Sequence, residues 1–537
     1  MEILSVLFLV LVGIVSYNSY YVHKKHQYWK KRGVPSVPIW EIFVQTVKLW
    51  LRRTHVWKIF IEMHDALRGH KFGGSFQMVR PSLILRDPEL IRSVLVNNFS
   101  NFHDRHNMEL SENDPVHWDL VHLRGPRWNQ VRQKATQAFS SAKLRLLYQT
   151  LLDCARELDA HIMRLCLEQG QEGAEFCVNE LMSNYSMEVI GASALGIKCN
   201  AIENPECEFR RVLELSMKFS FRRFSIWTLE SIYPGLSGKL GIRMHESAII
   251  QFFRWIIKDI EAMKRKDIEP NRKDFLQILM NLRDSEQQSG AKTDEDSAAT
   301  GSILTETVML GVISSFLSVG YEAVSSTLVF CLYELALHPE VQHKLLLEVC
   351  RVHAETGGGI SFEDTRKLQF MEQVISETLR KYPVSAIIGR CCTEPFQIPD
   401  TAVVVEKDVA CFISILALHY DPKYFPDPEI FDPDRFAQEN LDKIVPGSYL
   451  PFGDGPRSCI ANRLVVMIMK TMLMTLIPNY TFHPSAETPR RMEFDKTRFM
   501  LAPKANLQLR LQRRKKILIC SDFGILVKRK TNNFDVR

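Results

Sequence analysis

The chain is predicted to be mainly α-helical with small β-sheets. Three stretches carry that expectation. From Val308 to Leu335 the apolar residues are too many for a surface helix with one wet face, which makes it a core helix through the middle of a domain. Leu464-Val465-Val466-Met467-Ile468-Met469 reads as a second buried helix. Between Leu144 and Leu282 the pattern is a series of helices, whereas strand signals are short, as at Ser82-Leu83-Ile84-Leu85.

The chain opens on 22 mostly apolar residues, Met1 to Val22, with Glu2 the only charge. At about 1.5 Å per residue this is just long enough to cross a bilayer. Lys24, Lys25, Lys30, Lys31 and Arg32 come at once after it, so residues 1–22 read as an uncleaved anchor with the body of the chain on the cytosolic side. A cleaved signal peptide would place its basic residues before the apolar run and show a small-x-small cleavage site. Residues 23–40 are basic and proline-rich. Tyr28 and Trp29 suit the membrane interface, and Arg32 to Pro38 reads as a stiff hinge before a body spanning 41–512.

Composition excludes little. Hydrophobic residues at 46% and charged residues at 24% are ordinary globular values, and a net charge of +6 gives no argument for nucleic acid. By length alone, 537 residues suggest roughly three domains. Twelve scattered cysteines point to a reducing compartment, and without a CxxC pair or an HxxxH helix the sequence offers no zinc site.

Trp128 and Arg132 lie four apart and share a helix face, so indole and guanidinium N–H groups can converge on one carboxylate. Asp284 to Gly301 is a polar loop, and Thr305 can cap the core helix. Gly320, in mid-helix, costs about 1 kcal/mol relative to alanine and suggests close approach by something. Glu377 and Arg380 are three apart on a helix and can interact.

The most specific stretch is Phe452-Gly453-Asp454-Gly455-Pro456-Arg457-Ser458-Cys459-Ile460-Ala461. Gly453 and Gly455 permit a close approach to a flat ligand. Arg457 and the helix after the loop favour a thiolate at Cys459. A thiolate on a rigid loop can serve as the axial ligand of haem iron.

This decapeptide resembles the haem-binding loop of the cytochrome P-450 family, Phe-x-x-Gly-x-Arg-x-Cys-x-Gly, with Ala461 at the last glycine. Glu377-x-x-Arg380 and Pro433-Asp434-Arg435-Phe436 resemble the family's Glu-x-x-Arg helix and its Pro-x-Arg-Phe partner. Phe99 to Arg105, Phe139 to Leu144 and Tyr333 to Pro339 look like the arthropod microsomal branch. The resemblance implies one large helical domain of the cytochrome P-450 fold behind the anchor, in the endoplasmic reticulum membrane.

It further implies a haem-thiolate monooxygenase acting on a lipophilic foreign compound or endogenous lipid. Electrons would come from NADPH through NADPH–cytochrome reductase docked near Cys459, with cytochrome b5 a further candidate partner. Trp128, Arg132, Arg105 and Arg390 would meet the haem propionates. Phe452, Gly453, Gly455 and Arg457 would form the loop around the ligand Cys459. Glu377, Arg380 and Arg435 would form a buried ion triad beneath it. Val384, Ser385, Ala386, Ile387 and Ile388 would lie over the haem and line the substrate pocket, with Arg498 to Pro503 a second wall. The basic tail, 513–537, has no counterpart and receives no function.

On the central helix, too, the sequence leaves the family's pattern. The distal side needs protons to split the O–O bond, and members usually place an acid and then a threonine on the central helix. Here the pair reads Glu322-Ala323. By helical geometry Ser325 should face away, Ser326 needs a distorted helix, and Thr327 lies a full turn of about 5.4 Å further on. Three readings are open. The chain is a monooxygenase with an unusual proton path, an isomerase or dehydratase of a pre-oxidised substrate, or a haem-binding protein without turnover.

Overall fold

The computed structural model describes residues 27–78, 80–105, 113–168, 173–204, 207–218, 220–233, 235–265, 274–288 and 303–514. The expected anchor at 1–22, most of the 513–537 tail and most of the polar loop up to Gly301 lie outside them.

The main helices are α1 (Ile39–Trp50), α2 (Val56–Ala66), α3 (Gly125–Thr136), α4 (Ser141–Glu168), α5 (Val178–Leu195), α6 (Glu208–Met217), α7 (Phe221–Ile232), α8 (Ser247–Arg265), α9 (Phe275–Gln288), α10 (Glu306–Leu337), α11 (Pro339–Glu355), α12 (Gln369–Lys381) and α13 (Asn462–Leu476). Two main sheets flank them, besides a two-stranded pair of Phe396–Gln397 with Val404–Val405. β1 (Phe72–Gln77), β2 (Arg80–Leu85), β4 (Ile387–Cys391) and β5 (Ala410–Ser414) form one, in the order β1-β2-β5-β4, with β2 and β5 parallel and the other pairs antiparallel. β3 (Gly173–Cys177), β6 (Tyr480–Pro484) and β7 (Gln508–Arg513) form the other, antiparallel, in the order β3-β7-β6.

α10 is the helix expected from Val308 to Leu335. Thr305 Oγ1 accepts the Val308 amide and caps it. The helix is long and apolar enough to cross a bilayer, yet most of its side chains are buried against the rest of the molecule, so it is a core helix. Its closest approach is at Gly311. A Cβ there would lie 2.5 Å from the Trp118 carbonyl oxygen and 2.9 Å from that of Pro115. At Gly320, where a close approach was expected, α5 comes near: a Cβ would sit 3.1 Å from Ile190 Cδ1.

The start of the described chain also departs from expectation. Trp29 is fully buried rather than at an interface, because its indole N–H donates to the Ser75 carbonyl (2.9 Å) and its ring fills the space over Gly74. The stretch expected to be a hinge is docked. Val34 and Val37 are buried, and the Val37 and Gly74 amides donate to the Gly74 and Pro35 carbonyls. The eleven cysteines among the described residues are all free.

Gly311→Ala should drive a methyl into the Trp118 backbone and destabilise the fold by about 1–3 kcal/mol. Denaturant unfolding followed by tryptophan fluorescence measures this; an unchanged midpoint would mean that the Pro115–Trp118 segment moves aside freely.

Candidate functional site

The loop before α13 closes on itself through backbone bonds. The Gly453 amide donates to Leu450 (3.0 Å), Ser458 to Gly455 (3.0 Å) and Cys459 to Phe452 (2.8 Å). Gly453 and Gly455 sit at φ of +71° and +69°, where a side chain is strained. The near neighbour at Gly455 is protein: a Cβ would come 2.0 Å from the Leu95 carbonyl oxygen. The close approach attributed to a flat ligand is thus, at Gly455, a contact with the chain itself.

Cys459 lies three residues before the start of α13. Burial pushes its thiol above the usual range, while the Ala461 amide and the charges of Arg132 and Arg105 pull it back. The cation expected beside the sulfur was Arg457, and its guanidinium is engaged elsewhere. It stacks on the Trp128 ring at 3.9 Å and donates to the carbonyls of His103 (2.8 Å), Leu120 (3.1 Å) and Leu123 (2.8 Å), with Asp104 Oδ1 3.4 Å away. Arg457 fastens the loop to the 103–123 segment.

Arg105 donates to the Arg457 carbonyl (2.9 Å), Arg132 to that of Ser458 (2.9 Å), and Arg390 to that of Gly389 (2.9 Å). These guanidiniums feel one another. Burial, then Arg105 and then Asp104, acts on Arg457, whose pKa falls to about 9. Burial followed by Arg105 and Arg457 holds Arg390 well below its usual value. The buried Nε of Arg105 and of Arg390 has no hydrogen-bond partner. Clustered guanidiniums with orphaned donors suit an anion with more than one carboxylate, and the two propionates of haem meet that requirement.

Below the loop, Arg380 grips Glu377 with Nε–Oε2 at 2.7 Å and Nη2–Oε1 at 2.8 Å, both residues being fully buried. Arg435 Nε stands 3.5 Å from Glu377 Oε1, and its Nη2 donates to the Asp427 carbonyl. The remaining Arg380 donors reach the His419 (2.9 Å) and Pro428 (2.8 Å) carbonyls, so α12 is tied to the 419–435 segment.

On α10, Glu322 is buried and pairs with Arg498 Nη1 at 2.7 Å. Burial raises its carboxyl above the usual range and Arg498 opposes that rise. No local pattern signals this partner, which is 176 positions away. The neighbouring hydroxyls turn inward: Ser325 donates to the Glu322 carbonyl (3.2 Å) and Thr327 to that of Ala323 (2.7 Å). Both are therefore committed to the helix backbone.

The cytochrome P450 family model matches residues 34–510. The chain belongs to the cytochrome P450 family. It is 30% identical over 514 residues to probable cytochrome P450 6a13 of Drosophila melanogaster, covering 95% of this chain and 99% of that protein. Cytochrome P450 6k1 and cytochrome P450 9e2 of Blattella germanica are each 30% identical, over 515 and 509 residues; the alignments cover 93% and 91% of this chain and 96% and 94% of those proteins. Membership makes the chain a cytochrome P450 monooxygenase with a thiolate-ligated haem as its cofactor.

The residues expected over the haem divide. Ile388 lies near the P450 loop, with its Cδ1 3.8 Å from where a Gly453 Cβ would be. The Val384 carbonyl accepts the Leu501 amide (2.9 Å), which brings the two expected pocket walls together. Ala386 instead packs into a satellite core with Trp57, Phe330, Tyr382 and Leu501. Ser385 is exposed and Ile387, half-buried, opens β4. A cleft of about 1380 Å³ lies between His64, Tyr333, Tyr420 and Arg490, and none of Val384, Ser385, Ala386, Ile387 and Ile388 lines it.

Glu377→Ala should leave the Arg380 guanidinium buried without its counter-charge, a loss of about 3–5 kcal/mol. We expect protein recovered with little or no haem, read as the haem-to-protein ratio; a full ratio would show that the 419–435 segment holds the loop without this pair.

Proposed function

We propose that the chain inserts one oxygen atom from O2 into a lipophilic substrate, a foreign compound or an endogenous lipid, with electrons from NADPH through NADPH–cytochrome reductase. The observation that carries the reading is the loop at Cys459 ringed by buried guanidiniums. Cys459 would supply the thiolate that holds the haem iron. Arg105, Arg132 and Arg390 would bind its propionates, and Arg457 with Trp128 holds the loop in register. Haem held there would supply oxygen activation after one-electron reduction. Glu322 delivers protons on the distal side, and Arg498 sets how readily it holds one. With Ala323 in place of an alcohol and Thr327 spent on the backbone, water or a substrate hydroxyl must complete the relay.

An anchored position at the endoplasmic reticulum membrane, catalytic body in the cytosol, fits the exposed apolar surface near the start of the body. Trp40, Phe43, Val47 and Leu51 are exposed on or beside α1, and the Trp50 ring meets Phe221 of α7 at 5.0 Å. Cytochrome b5 serves in the same scheme as a second electron donor.

The inward-turned Ser325 and Thr327 hydroxyls favour one competing reading, an isomerase or dehydratase of a pre-oxidised substrate that needs no delivered proton. Product, NADPH consumption and peroxide release, measured with reductase across lipophilic substrates, separate the two. Product with little peroxide is expected, and Cys459→Ser should abolish both product and the red-shifted carbon monoxide band. If NADPH yields only peroxide until Ala323→Thr restores an alcohol, the relay is broken in the natural chain. Product without reductase establishes the competing reading.

Replacing Arg498 with leucine removes the charge that holds the Glu322 pKa down. That pKa then rises further, and the half-point of the pH–rate profile should move to higher pH. An unmoved half-point would take Glu322 out of the proton path.

A further inference from the structure

Away from the Cys459 loop, three side chains from two distant segments converge. Asp114 and His117 flank the short turn just after residue 113. His245 lies 131 positions beyond Asp114, just ahead of α8. One donor atom from each falls within 4.8 Å of the others. His245 Nδ1 is 2.9 Å from Asp114 Oδ1, and His117 Nδ1 is 3.6 Å from Asp114 Oδ2. Two ligands held at about 2.1 Å on a tetrahedral zinc ion stand ~3.4 Å apart, between those two spacings.

We propose that Asp114, His117 and His245 form a binding site for a divalent cation of zinc's class. Two imidazoles and one carboxylate are a donor set such ions accept, with water in the fourth position. The carboxylate is held in place: Asp114 Oδ2 also accepts the Met244 (2.8 Å) and His245 (3.0 Å) amides. His117 packs its ring against that of His245, centroids 4.7 Å apart. His122 lies beside it, ring centroids 4.6 Å apart, and is braced by Asp119 Oδ1 at 2.8 Å. The His117 and His245 side chains keep 15% and 12% of their exposure, which leaves an entry for the ion. The absence of an HxxxH helix hid the site from the sequence, because the ligands come from two chain segments.

Its position gives the ion a mechanical role. The turn carrying Asp114 and His117 packs Pro115 and Trp118 onto Gly311 of α10, and the same segment offers the Leu120 and Leu123 carbonyls to Arg457. An ion here clasps that segment to the start of α8. Loading therefore stiffens the frame of the P450 loop from outside, without touching the loop.

The test uses the full-length, tag-free haem protein in lipid nanodiscs with zinc ion as the probe. One tightly held equivalent of zinc is expected after gel filtration. Its X-ray absorption edge should show two imidazoles and oxygen, and zinc should slow hydrogen exchange in residues 114–124 and 241–250. His117→Ala combined with His245→Ala should weaken binding by about tenfold or more while the red-shifted carbon monoxide band persists. No zinc retained, sulfur ligation at the edge, or equal affinity in the double variant would overturn the site. If the double variant does not fold, the ligand set seen at the edge in the natural protein decides.

Discussion

Like charge gathered around one loop is the constraint on which the rest of the structure depends. Arg105, Arg132, Arg390 and Arg457 converge on a ten-residue turn, and burial makes each more costly to keep charged. Two of them are quieted by backbone carbonyls of the loop, Arg105 on residue 457 and Arg132 on residue 458. Arg457 is neutralised differently, by three carbonyls from the 103–123 segment. The loop can therefore keep its shape only while that segment, α3 and β4 stay in place.

The surrounding architecture supplies that fixity from two directions. On one side the Glu377–Arg380 pair binds α12 to the 419–435 segment through the Arg380 guanidinium. On the other, α10 carries the 115–118 turn against its backbone at Gly311. A buried ion pair contributes little net stability by itself, but the removal of one partner is severe, and that asymmetry makes the arrangement an all-or-none support. The distal side is looser by comparison: Glu322 depends on Arg498, whose loop is joined to the end of α6 through an isolated bridge at Lys218.

Much of this was legible in the sequence because the signals are local. A cysteine in a glycine turn ahead of an apolar run, a Glu and an Arg one turn apart, and a long apolar helix capped by Thr305 each declare themselves within a few residues. What was missed is long-range. Arg457 read as a charge beside the sulfur, since nothing local shows that carbonyls more than 330 positions away would take its donors. Glu322 read as the distal acid with no partner named, since Arg498 lies in a different part of the chain. Gly320 was the more visible glycine, yet the backbone contact belongs to Gly311. Trp29 read as an interfacial aromatic because its partner, the Ser75 carbonyl, sits on a strand that only the folded sheet brings near.

The orphaned Nε atoms of Arg105 and Arg390 bear on the lifetime of the chain in a cell. Before its prosthetic group arrives, the polypeptide holds mutually repelling cations in a dry interior, so part of its folding free energy is deferred. Whatever binds only the native state raises stability by mass action. Newly made chains will therefore compete with proteolysis until porphyrin reaches them, and the standing amount of this protein will track porphyrin supply as well as its own rate of synthesis.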